Sequence, residues 1–531
     1  MLTINKDKSR REQIESVSIE QLVPHDHLVR KIESAINFDF IYDLVKDKYC
    51  LNNGRPSIDP VVLIKITIIQ YMFGIKSMRQ TIKEIQTNVA YRWFLGFGFS
   101  DTIPHFSTFS KNYERRFKGT DLFEQIFNKI LQQAIEHGLV NMDAVFMDST
   151  HIKASANKKK YEKVFVEEQT KTYKQALEEE INKDRQKHGL KPLDFTHEKV
   201  KLKEIKISTT DPDSGMINKN EKEHQFGYSA HIACDKNGII LSCITTPANV
   251  HDSMVFENLF NKTKKNAGKS KRAALDAGYK TPPICKLLMD EGIVPCMPYT
   301  RAQHKEGYFK KRQFVYDEYY DCYICPQGQI LEYSTTNRKG YKEYKSDPKV
   351  CEKCEDLGRC TSSKNHTKII TRHVWEEYME EVEYLRHTKE CKELYKERSK
   401  TIERVFADLK EKHGMRVTML RGIEKVHMQV LLTCTCFNMK KLANWIWKKG
   451  KGGPGKGKNL EVLLEFFSKV VLAIIKPHLS FIEKWGFVNN LRPPDWVVFF
   501  LVELYHRRLS HTFPVFLKFL LNLGQSLYAR L

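Results

Sequence analysis

Asp148, in AVFMDSTHIKA, directly follows the apolar run Ala144, Val145, Phe146 and Met147. A carboxylate is expensive to desolvate, so one placed behind a buried strand is either solvated at the strand's mouth or paired with a cation. Asp276 repeats the pattern in RAALDAGYK, again behind small apolar residues and before a glycine. Glu403 lies in ERSKTIERVFADLKEKHG, where Ile402, Val405, Phe406 and Leu409 recur at helical spacing and define a buried stripe. At about 100° per residue, Glu403 falls about 100° and Lys410 about 80° from Ile402, so one helix edge presents a carboxylate and an ammonium. Each residue alone is readily structural. Together, two strand aspartates and a helix glutamate would supply hard oxygen ligands for Mg²⁺ or Mn²⁺. Two such ions about 4 Å apart can activate an attacking oxygen and stabilise a leaving one in phosphodiester displacement.

Cysteines form the second constellation. Cys322 and Cys325 make one C-x2-C pair and Cys351 and Cys354 another, 25 residues on, with Cys360 close behind. Four thiolates so paired suit a closed, structural Zn²⁺ site, with reduced, metal-free cysteines as the alternative and Cys360 as a substitute ligand. Gly328, Asn337 and Gly340 would allow a hairpin between the pairs. The other eight of the 13 cysteines sit among apolar residues and read as small core residues.

The elements that must position these groups change type along the chain. Residues 57–92 read as helices, with Asp59-Pro60 as one start and Ser77 with Gln80 as a capping box. A further start at Ser107 opens the basic, aromatic-rich STFSKNYERRFK. From Asn141, AVFMDS, HIACDKNGIILSCITT and RAALDAG read as strands, with a turn at Lys236-Asn237-Gly238. Residues 158–223, rich in Lys and Glu, read as solvated helices or a flexible insertion, and helical patterns return over 374–413 and 425–447. The composition adds 87 Lys and Arg against 65 Asp and Glu, a net charge of +22 that favours a polyanion such as nucleic acid. The polar N-terminus and the shortness of runs such as Trp496 to Val502 give no signal peptide or membrane span, which leads to an expectation of a cytoplasmic protein.

With these residues in view, the chain resembles the DDE-class transposases of bacterial insertion sequences. Asp148 in FMDST looks like the family's first aspartate, Asp276 in LDAGY its second, and Glu403 its third carboxylate. Tyr395, Arg398, Glu403 and Lys410 match in order the family's Tyr, Arg, Glu, Lys signature, but four residues separate Arg398 from Glu403 where three are usual. GRPSIDPVVLIK, YRWFLG and IPHFSTFSK resemble the family's N-terminal helical region, and GYSAHIACD with TTPANVHDS its core. The resemblance covers about residues 15–445 and implies an α/β, RNase H-like mixed sheet flanked by helices, behind an all-helical N-terminal domain. It implies cutting at element ends by water and attack of the freed 3′-OH on target DNA, with Mg²⁺ or Mn²⁺ held by Asp148, Asp276 and Glu403. Tyr395, Arg398 and Lys410 are then expected to meet DNA. The expected partners are terminal inverted repeats, target DNA and further copies of the chain, with no membrane. The expected division is a helical DNA-binding domain at 1–140 and a catalytic domain at 141–445. The latter would hold a polar helical insertion at 158–223 and a zinc-ribbon-like insert at 320–362. A Gly/Lys linker at 448–458 and a tail at 459–531 would follow, the tail without an assigned role. His151 reads as a packing residue, with a DNA contact as its alternative, and His251-Asp252 stays open. A metal-dependent nuclease of the same fold, or a catalytically silent DNA-binding remnant, are the competing functions.

Overall fold

In the N-terminal region the helix starts fall where side chains can cap them. Asp59 accepts the Val61 N–H at 2.7 Å and Pro60 opens the helix Pro60–Met72. Ser77 caps Met78–Thr87 through the Gln80 N–H, but the Gln80 side chain turns to Glu84, so the expected capping box is only half made. Pro60–Met72 has almost no polar face and is buried on nearly every side. Its one buried ammonium, Lys65, is matched by Glu33 at 2.7 Å and by the ring faces of Phe38 and Phe94. The computed structural model describes residues 14–50, 56–167, 173–195, 202–220, 223–300 and 305–450. The tail expected at 459–531 and nearly all of the 448–458 linker lie outside them. Among the described residues no helix is long and apolar enough to cross a membrane.

Among the described residues, thirteen strands follow these N-terminal helices. The first six are β1 (Ala144–Lys153), β2 (Tyr161–Glu167), β3 (Leu202–Ser208), β4 (Gly215–Asn220), β5 (Glu223–Asp235) and β6 (Ile240–Pro247). The next two are β7 (Arg272–Leu275) and β8 (Val294–Cys296). The last five are β9 (Val315–Asp317), β10 (Cys322–Ile324), β11 (Ile330–Thr336), β12 (Tyr341–Ser346) and β13 (Ile369–His373). The central sheet is mixed. β5 lies antiparallel between β1 on one side and β4 and β6 on the other, while β1, β7 and β8 run parallel. Gly238, at φ +70°, closes the β5–β6 turn at the expected Lys236-Asn237-Gly238. The helices Asp252–Ala267 and Ile423–Lys449 pack on β6, and Ile402–Lys412 packs on β1. One continuous apolar core joins the N-terminal helices to this sheet, from Val23 through Phe146 to Ala443.

One expectation changes here. The Lys- and Glu-rich stretch is not simply a set of solvated helices: β2 and β3 form a two-stranded ribbon, and the helix Lys174–Lys187 buries Ile181 and Asp184. Asp184 is matched by Lys342 at 2.7 Å and by the Thr336 hydroxyl, which ties this helix to the second sheet. Around the stretch expected as a zinc-ribbon-like insert, β9 to β13 form a five-stranded antiparallel sheet in the order β13-β12-β11-β10-β9. It has its own small core of Phe314, Tyr323, Leu331, Tyr344 and Ile370. The hairpin expected at Asn337 and Gly340 is present between β11 and β12.

Candidate active site

Strand register brings the two aspartates together. β1 does not end at Asp148: it continues to Lys153, with Asp148 opposite Ile232 of β5. Its parallel neighbour β7 stops, however, with Leu275 opposite Met147, and Asp276 is the next residue. Asp148 and Asp276 therefore stand side by side where two strands about 4.8 Å apart part company. Asp276 then caps the short turn Ala277–Tyr279, accepting the Ala277 N–H at 2.7 Å.

The glutamate arrives from a broken helix. In one straight helix Arg398 and Glu403, five residues apart, would point about 140° away from each other. The chain instead ends the helix Lys389–Lys400 at Thr401, with φ −111° and ψ −88°, and starts Ile402–Lys412 afresh. The expected stripe of Ile402, Val405, Phe406 and Leu409 is buried, which leaves Glu403 facing outward, its side chain 56 % exposed.

What the three carboxylates share is Arg398. Its guanidinium, 8 % exposed, donates to Asp148 Oδ2 and lies 3.9 Å from Asp276 Oδ1 and 3.7 Å from Glu403 Oε1. The arginine expected at DNA thus sits between the carboxylates as their internal counterion. Tyr395, one turn earlier, lies beside it, its hydroxyl held above the ordinary range mainly by burial and eased by the Arg398 charge. Lys410 is half-buried two turns beyond Glu403 on the same helix.

Asp148 is the least exposed of the three carboxylates, at 18 % against 50 % for Asp276. Burial pushes its carboxyl up to about 6, against the pull of Arg398 and the Ser149 N–H, while the charges of Asp276 and Asp252 push the same way as burial. Asp252 is the residue sequence reasoning left open, and it lies 3.5 Å from Nδ1 of the buried His231, whose imidazole is pushed down to about 4 by burial. His251 caps the helix Asp252–Ala267, and His151 bonds Ser229 at 3.0 Å. The signal for Asp252 was its position at a helix start following an apparent strand, in ANVHDS.

Asp148, Asp276 and Glu403 are all hard oxygen donors gathered around one positive charge, which is the donor chemistry a divalent cation needs. Among the described residues no three His, Cys, Asp or Glu side chains already stand close enough to hold an ion. At the carboxylates, the guanidinium fills that role.

The cysteines are regrouped. β10 is a paired strand, with Cys322 opposite Asp317 and Tyr323 opposite Leu331, and it ends at Ile324, so Cys322 lies in the strand ladder and Cys325 in the turn that follows. Cys322 is accordingly buried near Asp317, Asp321 and Glu332, apart from the other predicted ligands. Cys325, Cys351 and Cys354 line one cleft, and its fourth cysteine is Cys360. Two of the scattered cysteines expected to be plain core residues, Cys296 of β8 and Cys391 of the Lys389–Lys400 helix, are joined in a disulfide.

A mixed sheet with two aspartates on adjoining parallel strands, and a glutamate brought to them by a helix, defines a carboxylate-centred α/β site. The family described as Transposase domain (DUF772) matches residues 17–115, and the family described as Transposase DDE domain matches residues 324–443. Both matches support what the sequence motifs resemble, a DDE-type transposase. The second match takes in Tyr395, Arg398, Glu403 and Lys410, whereas Asp148 and Asp276 lie outside both. Among curated proteins none matches. A similar solved structure is that of a piggyBac transposase synaptic complex with hairpin DNA, at 9% identity and a TM-score of 0.34 over 88% of this chain and 87% of that one. A likeness this faint supports no inference about fold or activity.

Proposed function

We propose that this chain cuts DNA at the terminal inverted repeats of its element and joins the freed 3′-OH strand to target DNA, with Asp148, Asp276 and Glu403 as the catalytic carboxylates. The observation that carries the reading is their convergence on one cation position from three separate segments. The strand order β6-β5-β1-β7-β8, with β5 antiparallel, is the order an RNase H-like core calls for. Mg²⁺ or Mn²⁺ held by these carboxylates would supply the charge that activates the attacking oxygen and stabilises the leaving one.

The chain's own groups prepare that position. Asp148 is fixed through both oxygens, Oδ1 accepting the Ser149 N–H and Oδ2 accepting from Arg398, which holds the carboxylate in one orientation. Arg398 keeps the three like charges together, and Tyr395 packs beside it and limits its swing. Lys410, on the Glu403 helix, is the ammonium for a phosphate of the cut end. The N-terminal domain expected at 1–140, with the chain's excess of positive charge, would hold the element ends. Several copies would assemble on the DNA.

The test is a cleavage assay on terminal-repeat DNA with Mg²⁺, run beside a binding assay on the same substrate. Asp276→Asn should lose cleavage by orders of magnitude and keep binding. Near wild-type cleavage by that variant would remove the carboxylate assignment. Cut ends without joined strands would favour the nuclease reading.

A further inference from the structure

We propose that Cys325, Cys351, Cys354 and Cys360 form a structural Zn²⁺ site that pins the β10–β11 turn to the loop after β12, and that Cys322 takes no part in it. A C-x2-C pair makes two ligands only if the chain turns between them, and Cys322-Tyr323-Ile324 does not turn: it is a strand bonded on both sides. Cys325 comes after the strand, in a turn where Gly328, at φ +73°, closes onto the Cys325 carbonyl at 2.9 Å. There the Gln329 N–H points at Cys325 Sγ at 3.3 Å, an arrangement that favours the thiolate as acceptor.

Cys351 and Cys354 do flank a turn, with the Cys354 N–H on the Cys351 carbonyl at 3.1 Å. Cys351 closes the short helix Pro348–Cys351, and Cys360 closes the next, Leu357–Cys360. All four sulfurs therefore sit in turns or at the ends of one-turn helices, and none in a strand ladder that would resist adjustment. They line a single cleft of about 470 Å³, its open mouth included, whose walls are otherwise mostly apolar, with Phe309 and Leu331 among them. All four thiols are free.

Cys325 and Cys360 also pack against the small core of this sheet, but four free, half-buried thiols lining one cleft make a complete ligand set as well. Soft thiolates in a set of four select Zn²⁺ in tetrahedral geometry, with sulfurs about 2.3 Å from the ion. No three of these sulfurs stand that close as they are, so the ion would draw the turn and the loop together. On binding, each S–H gives its proton to solvent as a Zn–S bond forms, which leaves a site of net charge −2. Lys368, which lines the same cleft and donates to the Cys360 carbonyl at 2.7 Å, offsets part of that charge. The core of this sheet has only five fully buried side chains, so a bridging ion would add to the packing and to the Asp184–Lys342 tie that already hold it.

The experiment is zinc content per chain, by elemental analysis, in the full chain expressed with zinc and purified without chelator. Wild type and Cys322→Ser should carry about one zinc per chain, and Cys360→Ser should lose most of it. Zinc-free wild type overturns the site, and so does zinc lost from Cys322→Ser but kept in Cys360→Ser. Because a variant can fail by misfolding, thiol alkylation followed by mass spectrometry on wild type gives a second answer. Cys325, Cys351, Cys354 and Cys360 should be protected together and become reactive together when zinc is stripped, with Cys322 unchanged. Independent reaction of the four would refute shared ligation. Neither readout depends on DNA cleavage.

Discussion

Asp148→Asn should stabilise the metal-free protein at pH 8 while abolishing cleavage, and the size of the effect follows from the burial of that carboxylate. In the folded chain Asp148 keeps its proton up to about pH 6. In the unfolded chain it does so only up to about 3.9. Between those values the folded state binds more protons, so stability falls as pH rises, and the whole penalty is present above pH 6. At about 1.4 kcal/mol per pH unit this amounts to about 3 kcal/mol. Asparagine keeps the volume of the protonated acid without the charge, so the variant escapes that penalty. Unfolding entropy of about 2 cal/mol/K per residue makes 3 kcal/mol a rise in Tm of roughly 3 °C for a chain of this size. The assay is thermal unfolding from pH 4 to 8 in chelator, comparing variant with wild type. Asp235, buried and likewise pushed up to about 6, slopes both proteins equally, so the difference isolates Asp148. The two should coincide near pH 4 and diverge through pH 6. A variant less stable than wild type at pH 8 would mean that the pairing with Arg398 outweighs burial, and the reasoning would fail.

Arg398→Gln should destabilise the metal-free protein by about 3 kcal/mol, because it leaves the buried Asp148 charge without its partner. Added Mg²⁺ should restore more of that loss than it adds to wild type, measured as Tm with and without the metal. Affinity for DNA should fall steeply with salt, since the +22 chain would displace many counterions. Between 50 and 200 mM salt a loss of about a thousandfold or more is expected, and a flat plot of log affinity against log salt would contradict it.

What the sequence revealed, it revealed through local periodicity and capping. The buried stripe of Ile402, Val405, Phe406 and Leu409, the Asp59-Pro60 helix start and the Lys236-Asn237-Gly238 turn are each decided within a few residues of chain. The pairing of β1 with β7 is not, because it joins residues more than a hundred positions apart, and it is this register that sets Asp148 beside Asp276. The Lys- and Glu-rich stretch misled because charge predicts solvation, whereas Asp184 is buried against Lys342 of a distant strand. Cys322 has the spacing of a metal knuckle, while the strand ladder through Tyr323, which sequence spacing does not reveal, sets its position.

The departure of Arg398 from the usual spacing was legible as a discrepancy, and the structure gives it a physical sense. With three intervening residues, an arginine and a glutamate on one continuous helix lie about 40° apart and can serve a common site. A fourth residue would rotate them to about 140° and take the arginine away from the carboxylates. The helix breaks within that extra length, at Thr401, where the Thr401 hydroxyl donates to the Glu397 carbonyl at 2.7 Å and the Val405 N–H to the Thr401 carbonyl at 2.9 Å. Those bonds satisfy the backbone at the break, so the interruption need not leave its polar groups unpaired. The two side chains therefore converge because the rotation a straight helix would impose is absorbed where one helix ends and the next begins. That is why Arg398 still lies within 4 Å of both Asp276 and Glu403, although no straight helix through residues 389–412 could place it there.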